Sequence, residues 1–192
     1  MGHLEGLREH LKSVLGHSVF DDLLASQAVW EMRLHGQRVV RAKVVENQTY
    51  ELLLDIDGQG REPIHKLQVK CLYPVASAVE VGKQLKIDNK VLGLGLEPIK
   101  APAQRYIVKN KTLFPLMKER EVVFCTLMEG EVIRGLIADF SRFEMIMHGK
   151  GGLPIVILRH SIYDLRTKKG RCMLRSFQNE HRDWQKSALF VS

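Results

Sequence analysis

The chain has 192 residues, of which 45% are hydrophobic, and its 29 Lys and Arg against 22 Asp and Glu give a formal net charge of +7. This balance excludes a largely disordered chain and predicts one large domain or two small ones. No run approaches the ~18 consecutive apolar residues of a membrane helix, and the first ten residues lack the apolar region of a secretory leader. The three cysteines, Cys71, Cys125 and Cys172, are far apart and form no C-x-x-C pair, which predicts reduced thiols in a cytoplasmic protein.

The positive charge is concentrated in two segments. Residues 1–74 hold 9 basic and 10 acidic residues, and residues 121–166 hold 5 and 6. Residues 75–120 hold 9 basic and 4 acidic residues, and residues 167–192 hold 6 and 2. Basic segments beside nearly neutral units favour a polyanion that runs along the outside of the folded units, and the alternative is that these cations only solvate loops.

Helical patterns lie mostly near the N-terminus. An apolar stripe at helical spacing predicts a first helix over residues 4–15. A second helix is predicted to begin near Ser18, which is a suitable N-cap before Asp21 and Asp22. A shorter helix is predicted over residues 113–120, and residues 83–87 of the middle segment predict one strand.

The second half of the chain predicts five short strands. They are residues 122–128, 132–137, 143–147, 153–158 and 161–165. Glu129-Gly130 predicts a hairpin tip between the first two strands. Gly135 lies inside the second strand and predicts a sharp bend or a close approach of two backbones.

The two halves resemble each other at a constant offset of 93 residues. Residues 41–54 align with residues 134–147 without a gap, so that Tyr50 matches Phe143 and Glu51 matches Glu144. Residues 66–69 fall on residues 159–162 at the same offset. This agreement predicts an internal duplication, and the alternative is that two β-rich segments share a generic alternation.

Five short strands with a strongly bent second strand predict a small barrel, and the duplication predicts two of them. The fold class is therefore mainly β, with two SH3-like bent barrels, N-terminal helices and a C-terminal basic helix or tail. The predicted units are residues 1–74 (helices and first barrel), 75–112 (basic connector), 113–166 (second barrel) and 167–192 (basic C-terminal segment).

Residues 114–166 resemble the bacterial host-factor RNA chaperones (Hfq) of the Sm-like superfamily. The family's first motif has a polar residue and Gly, a short strand ending in Gly, and a turn with Asp and Phe; this chain has Glu129-Gly130, Gly135 and Phe140-Ser141-Arg142-Phe143. The second motif begins aromatic-Lys-His-Ala-Ile, where this chain has residues 158–162, Leu-Arg-His-Ser-Ile. The chain departs from the family at Ser141, usually Asp, and at Leu158, usually Tyr.

The resemblance implies a single-stranded RNA site near the pore of a ring. Its residues would be Phe140, Ser141, Arg142, Arg159 and His160, with Lys118 and Arg120 touching RNA at the rim. Phe140 would stack on a base, and the polar groups would read its edge and hold phosphate. U-rich RNA is favoured over A-rich RNA, because Thr126 and Glu131 occupy the positions of the family's adenine-reading face.

The first half is the weaker copy. Asn47, Gln48, Thr49 and Lys66 occupy the pocket positions, and Leu67 replaces the histidine. Lys66 keeps the positive charge, but no aromatic side chain remains at Asn47. The first half is therefore expected to be more structural than RNA-binding.

These observations predict an RNA chaperone or post-transcriptional regulator, with no enzymatic activity, no cofactor and no membrane partner. The resemblance also implies a homo-oligomer, in which three two-barrel chains would make a pseudo-ring of six barrels. Two alternatives stay open at this point: an assembly scaffold without an RNA role, and a DNA-binding regulator with a basic tail.

Overall fold

The computed structural model describes residues 4–174. The five helices are α1 (Leu7–Ser13), α2 (Val19–Ser26), α3 (Ala78–Gln84), α4 (Asn89–Leu92) and α5 (Asn110–Lys118). The first five strands are β1 (Trp30–Leu34), β2 (Val39–Asn47), β3 (Glu51–Ile56), β4 (Gly60–His65) and β5 (Val69–Pro74). The other six are β6 (Lys86–Ile87), β7 (Val122–Leu127), β8 (Glu131–Phe140), β9 (Glu144–His148), β10 (Pro154–Leu158) and β11 (Ile162–Thr167).

These eleven strands form one open antiparallel sheet. The hydrogen-bonded order is β11-β7-β8-β9-β10-β5-β1-β2-β3-β4, and β6 adds to β8 beside this path. Within each half, the last strand pairs with the first: β5 lies beside β1, and β11 lies beside β7. The two halves meet where β10 pairs with β5, with Val156 opposite Leu72 and Ile157 opposite Cys71.

The prediction of two separate five-stranded barrels is wrong. The strand path continues from one half into the other and ends at β4 and β11. The reason is that β5 and β10, which would have to close their own halves, hydrogen-bond to each other. Both strands are apolar along almost their whole length and are buried on both faces, as near-continuous apolar runs indicate.

Two hydrophobic cores share the joining strands. Cys71 and Tyr73 of β5 pack into the core of the second half, whereas Leu72, which lies between them, packs into the core of the first half. Strand β10 alternates in the same way. Because successive side chains of a strand point to opposite faces, one strand can contribute to both cores.

The same local contacts recur 93 residues apart. The backbone N–H of Lys66 donates to the carbonyl of Tyr50 at 2.8 Å, and that of Arg159 donates to the carbonyl of Phe143 at 2.8 Å. The β2–β3 register shifts between Val44 and Glu46, and the β8–β9 register shifts between Ile137 and Asp139. A short 3-10 turn precedes the last strand of each half, at Lys66–Gln68 and Arg159–Ser161.

A buried ion cluster ties the halves together. Lys70 of β5 is 0% exposed, and its ammonium contacts the carboxylates of Glu129 and Glu131 from the β7–β8 hairpin. Glu129 also accepts hydrogen bonds from the backbone N–H groups of Gly36 (2.7 Å) and Gln37 (3.0 Å). Burial alone would favour its neutral acid, but these hydrogen bonds and that from Lys70 hold the pKa of Glu129 below its ordinary value.

Two local predictions are confirmed. Ser18 is the N-cap of α2, and its hydroxyl accepts a hydrogen bond from the N–H of Phe20. A Cβ at Gly135 would lie 2.4 Å from the carbonyl oxygen of His148, so glycine permits the close approach of β8 and β9 there. The predicted C-terminal basic helix or tail lies, from residue 175 onward, outside the described residues. In the part of the chain that is described, no helix is long and apolar enough to cross a membrane.

Candidate nucleic-acid interface

An exposed aromatic ring lies on the turn between β8 and β9. Phe143 is 57% exposed, and the guanidinium carbon of Arg142 lies 5.3 Å from the centre of its ring. The hydroxyl of Ser141 accepts hydrogen bonds from the backbone N–H groups of Phe143 and Glu144, each at 3.2 Å. A serine that hydrogen-bonds backbone two and three residues later fixes a tight turn, and this turn directs the Phe143 ring outward.

The first half has an aromatic ring at the equivalent turn, between β2 and β3. Tyr50 is 71% exposed and stacks on the ring of His65, with 6.5 Å between centroids and 10° between planes. Gln48 and Thr49, two of the predicted positions, are exposed on the same turn. The amide of Gln48 donates to the carboxylate of Glu46 at 3.1 Å.

Lys66 and Asn47, the other two predicted positions, contact α2. The ammonium of Lys66 lies 5.8 Å from the ring centre of Phe20, and Asn47 Nδ2 donates to Asp21 Oδ1 at 2.6 Å. Partial burial lowers the pKa of Lys66, although Asp21 and Glu144 oppose the shift. The ammonium of Lys66 thus lies against the Phe20 ring on one side, and the residue remains partly exposed to solvent.

Glu144 brings the two turns into one region. It follows Phe143 in the second half, and it interacts electrostatically with Lys66 of the first half. Its carboxylate accepts hydrogen bonds from the backbone N–H of Val19 (3.0 and 3.1 Å) and from Ser18 Oγ (3.2 Å) at the start of α2. Burial raises the pKa of Glu144, although these hydrogen bonds oppose the shift. The N-terminal end of α2 therefore lies beside both turns.

Arg159 is engaged within the fold. Its guanidinium donates to Asn110 Oδ1 (2.8 Å) and to the carbonyl oxygens of Ser141 (2.6 Å) and Val108 (2.6 Å). Burial lowers the pKa of Arg159 to about 10, so the side chain stays charged at neutral pH. Within residues 4–174 no carboxylate forms an ion pair with it. Arg159 therefore ties the Ser141 turn to the segment that leads into α5.

His160 is also turned inward. Its Nε2 lies 2.9 Å from the carbonyl oxygen of Val69, and burial lowers the pKa of His160 to about 4. At neutral pH the ring is therefore neutral, and it is occupied by a contact with β5. In this conformation it adds no positive charge to the surface.

Phe140, the predicted stacking residue, is 1% exposed in the core of the second half. Its ring centroid lies 4.7 Å from that of His10 in α1, and His10 Nε2 donates to the Phe140 carbonyl at 3.1 Å. Phe140 thus presents no ring face to a ligand in this structure.

Lys118 and Arg120 are exposed at the C-terminal end of α5. The ammonium of Lys118 lies 5.6 Å from the ring centre of Phe114. Arg120 has a φ of 52°, a left-handed backbone position that ends the helix. No contact of the described residues joins these two cations to the Phe143 turn.

Tyr50, His65 and Phe143 were not among the predicted site residues. The signal for two of them was present in the repeat: the 93-residue offset places an aromatic residue at both Tyr50 and Phe143, but only one at Asn47 and Phe140. The aromatic pair Tyr50 and Phe143 therefore indicates the turn in both copies, whereas Phe140 aligns with the polar Asn47. No family model, curated protein or solved structure matches the chain. Its function must therefore be inferred from the residues themselves.

Proposed function

We propose that the chain binds single-stranded RNA at the aromatic edge, which we define as Tyr50, His65, Lys66, Arg142 and Phe143. The observation that carries this proposal is that two aromatic side chains at equivalent turns are largely exposed, each beside a basic residue. Exposed bases of a single strand stack on flat side chains, and its phosphates require cations. The aromatic edge offers both.

These two rings differ from the other described aromatic side chains. Tyr50 and Phe143 are the only aromatic residues among the exposed large hydrophobic residues of positions 4–174. Two exposed rings at equivalent turns are flat, accessible side chains of the kind on which the bases of a single strand stack. Ser141 and Arg159 support the proposal indirectly, because they hold the turn that carries Phe143.

The charge distribution supports the same proposal. Arg142 and Lys66 lie beside the rings, and the connector contributes much of the excess positive charge of the whole chain. We propose a role as an RNA chaperone or post-transcriptional regulator, with U-rich RNA preferred to A-rich RNA. The three unbridged thiols fit a cytoplasmic location.

The test is fluorescence anisotropy with short U-rich and A-rich RNAs over a salt series. Phe143→Ala should weaken binding of U-rich RNA roughly 5- to 150-fold, because a base stacked on an aromatic side chain contributes about 1–3 kcal/mol. Tyr50→Ala should act in the same direction. Val79→Ala is the control, since Val79 is an exposed hydrophobic residue on α3 and is not part of the aromatic edge, and its affinity should equal that of the wild type.

Three outcomes would contradict the proposal. Binding that ignores base identity, disappears with salt and survives both substitutions would place the contacts on the basic segments alone. Preferential competition by duplex DNA would favour the DNA-binding alternative. Absence of RNA binding would favour the assembly scaffold.

A further inference from the structure

A small open cavity lies where the two halves of the sheet meet. Its volume is about 220 Å³, which is less than the roughly 300–1,000 Å³ of pockets that hold drug-sized ligands. This size limits a ligand to a small metabolite. We call it the junction cavity, and its walls include Arg33, Arg38 and Val39 of the first half, Glu129 and Glu131 of the second half, and Ile87 of β6.

The second half contributes acidic groups to the junction cavity. Glu129 and Glu131 share one buried cation, Lys70, so the two carboxylates are only partly neutralised. Glu129 also accepts hydrogen bonds from the backbone N–H groups of Gly36 and Gln37. Glu131 is 3% exposed; its Oε1 contacts Lys70, whereas its Oε2 is buried and accepts no hydrogen bond within the described residues. A buried carboxylate oxygen without a donor is costly, so Glu131 favours one more cationic donor.

The first half contributes a guanidinium with unused donors. The Nε of Arg33 donates to the hydroxyl of Tyr73 at 2.9 Å, and its terminal N–H groups have no partner within residues 4–174. Arg38 differs, because its guanidinium is paired with Glu62 at 2.6 Å. Arg33 and Glu131 interact electrostatically, but no ion pair joins them within the described residues. The junction cavity therefore contains a cation and an anion that do not contact each other.

Two aliphatic side chains complete the junction cavity. Val39 begins β2 and is 45% exposed, and Ile87 lies on β6 and is 42% exposed. Small-molecule pockets combine apolar walls with a few polar groups that fix the orientation of the ligand. Here the polar groups are one cation and one anion, so the matching ligand carries both charges and an aliphatic part.

We propose that the junction cavity binds a free aliphatic α-amino acid. The carboxylate of the ligand accepts hydrogen bonds from the Arg33 guanidinium, whose planar fork matches a carboxylate. The ammonium of the ligand donates to Glu131 Oε2, and its side chain contacts Val39 and Ile87. Because residues of both halves hold the ligand, binding also stabilises the junction between them. This inference does not rest on RNA binding.

The experiment is isothermal titration calorimetry of the full-length protein with L-leucine. Three further probes each lack one part of leucine: isocaproate lacks the ammonium, isoamylamine lacks the carboxylate, and glycine lacks the side chain. We expect one leucine per chain. Isocaproate and isoamylamine should each bind roughly 10- to 150-fold more weakly, because each loses a hydrogen bond between charged groups. Glycine should also bind more weakly than leucine, because it loses the contact with the aliphatic walls.

A substitution locates the ligand. Arg33→Gln should weaken binding of leucine and of isocaproate by the same range and leave binding of isoamylamine unchanged, because the amine does not use the guanidinium. Arg61→Gln is the matched control, since Arg61 is exposed on β4 and does not line the junction cavity, and it should bind leucine as the wild type does. Leucine should also raise the Tm of the wild type and of Arg61→Gln, but not that of Arg33→Gln.

Each contrary result overturns a stated part of the proposal. Absence of leucine binding to the wild type overturns the whole of it. Equal affinities for leucine and isocaproate overturn the contact with Glu131, and equal affinities for leucine and glycine overturn the aliphatic preference. Unchanged leucine binding in a folded Arg33→Gln variant overturns the junction cavity as the site. Circular dichroism checks folding; if Arg33→Gln is unfolded, Val39→Asp, at an exposed position, is tested against the same outcomes. No RNA is present in these titrations, so their failure leaves the proposed function untouched.

Discussion

The two halves of the sheet hold equivalent turns in different ways. In the second half, Arg159 is partly buried and donates hydrogen bonds to three uncharged oxygens, which hold the turn before Phe143. In the first half, its equivalent Lys66 lies over Phe20, and its electrostatic partners are carboxylates. A guanidinium can donate to three acceptors in fixed directions, whereas an ammonium acts as a compact point charge. The second half therefore has the more rigid turn, and the first half keeps the more available cation.

The comparison bears on which half would carry an RNA site. The second half was expected to carry the RNA site and the first half to be structural. In the structure, most of the predicted second-half groups stabilise the fold, and each half exposes one aromatic ring. The duplication thus provides two turns of the same shape, and the residues beneath each turn decide how firmly it is held.

The largest expected effect comes from Lys70, whose equivalent in the second half is Tyr163. Replacing Lys70 with Ala leaves the buried Glu131 and the partly buried Glu129 without their cation, and this should lower the free energy of unfolding by about 3–5 kcal/mol. Urea denaturation measures the change. Lys70→Met combined with Glu131→Gln should recover a large part of the loss, because it removes charge from both sides of the cluster.

The control for Lys70 is an exposed ion pair. Lys83 and Glu80 of α3 are 2.6 Å apart, and both side chains are mostly exposed. Lys83→Ala should change the free energy of unfolding by less than about 0.5 kcal/mol. If Lys70→Ala were as mild as Lys83→Ala, the buried cluster would not join the halves.

The next effect depends on pH and separates His160 from its first-half equivalent, Leu67. Because burial lowers the pKa of His160 from 6.5 to about 4, the unfolded chain binds the proton more tightly than the folded chain between these values. The contribution of His160 to the free energy of unfolding is fully present above pH 6.5. It falls by up to about 3 kcal/mol as the pH falls to about 4. The lowered pKa of His35, also caused mainly by burial, acts in the same direction.

Unfolding titrations from pH 7.5 to 4 test this dependence. His160→Gln should flatten the slope, because the variant lacks the buried ring whose protonation opposes folding. An identical slope in His160→Gln and the wild type would mean that another group dominates the acid sensitivity.

Local patterns predicted the elements better than their assembly. The alternation of residues 143–147 and the Ser18 cap come from neighbours in sequence, and β9 and α2 lie within one residue or so of the predicted positions. The joining of β10 to β5 depends on two strands that are far apart in sequence, since the paired residues Leu72 and Val156 are 84 positions apart and Cys71 and Ile157 are 86 apart. Side-chain alternation along a strand predicts which of its faces is buried, but it does not predict which other strand pairs with its edge.

The candidate site shows the same limit. Sequence similarity placed Phe140 and His160 at a surface, but their exposure depends on α1 and β5, which come from distant parts of the chain. The turn at Ser141–Phe143 was located correctly because it is a local feature. Which of Phe140 and Phe143 is exposed depends on where β8 ends, because Phe140 is the last, buried residue of the strand and Phe143 lies on the turn that follows.

The smallest effect sharpens the comparison at the bend of β8. Gly135 lies where the first half has Ala42, which is completely buried. Gly135→Ala should lower the free energy of unfolding by about 1–3 kcal/mol, because the new Cβ would lie 2.4 Å from the carbonyl oxygen of His148. Ala42→Gly should cost only about 1 kcal/mol, because it removes one methyl group and adds backbone freedom. Urea denaturation of both variants decides the point: equal losses would show that β8 and β9 approach no more closely than β2 and β3, and a greater loss at Gly135 would show that the second half is bent more tightly beneath its aromatic turn.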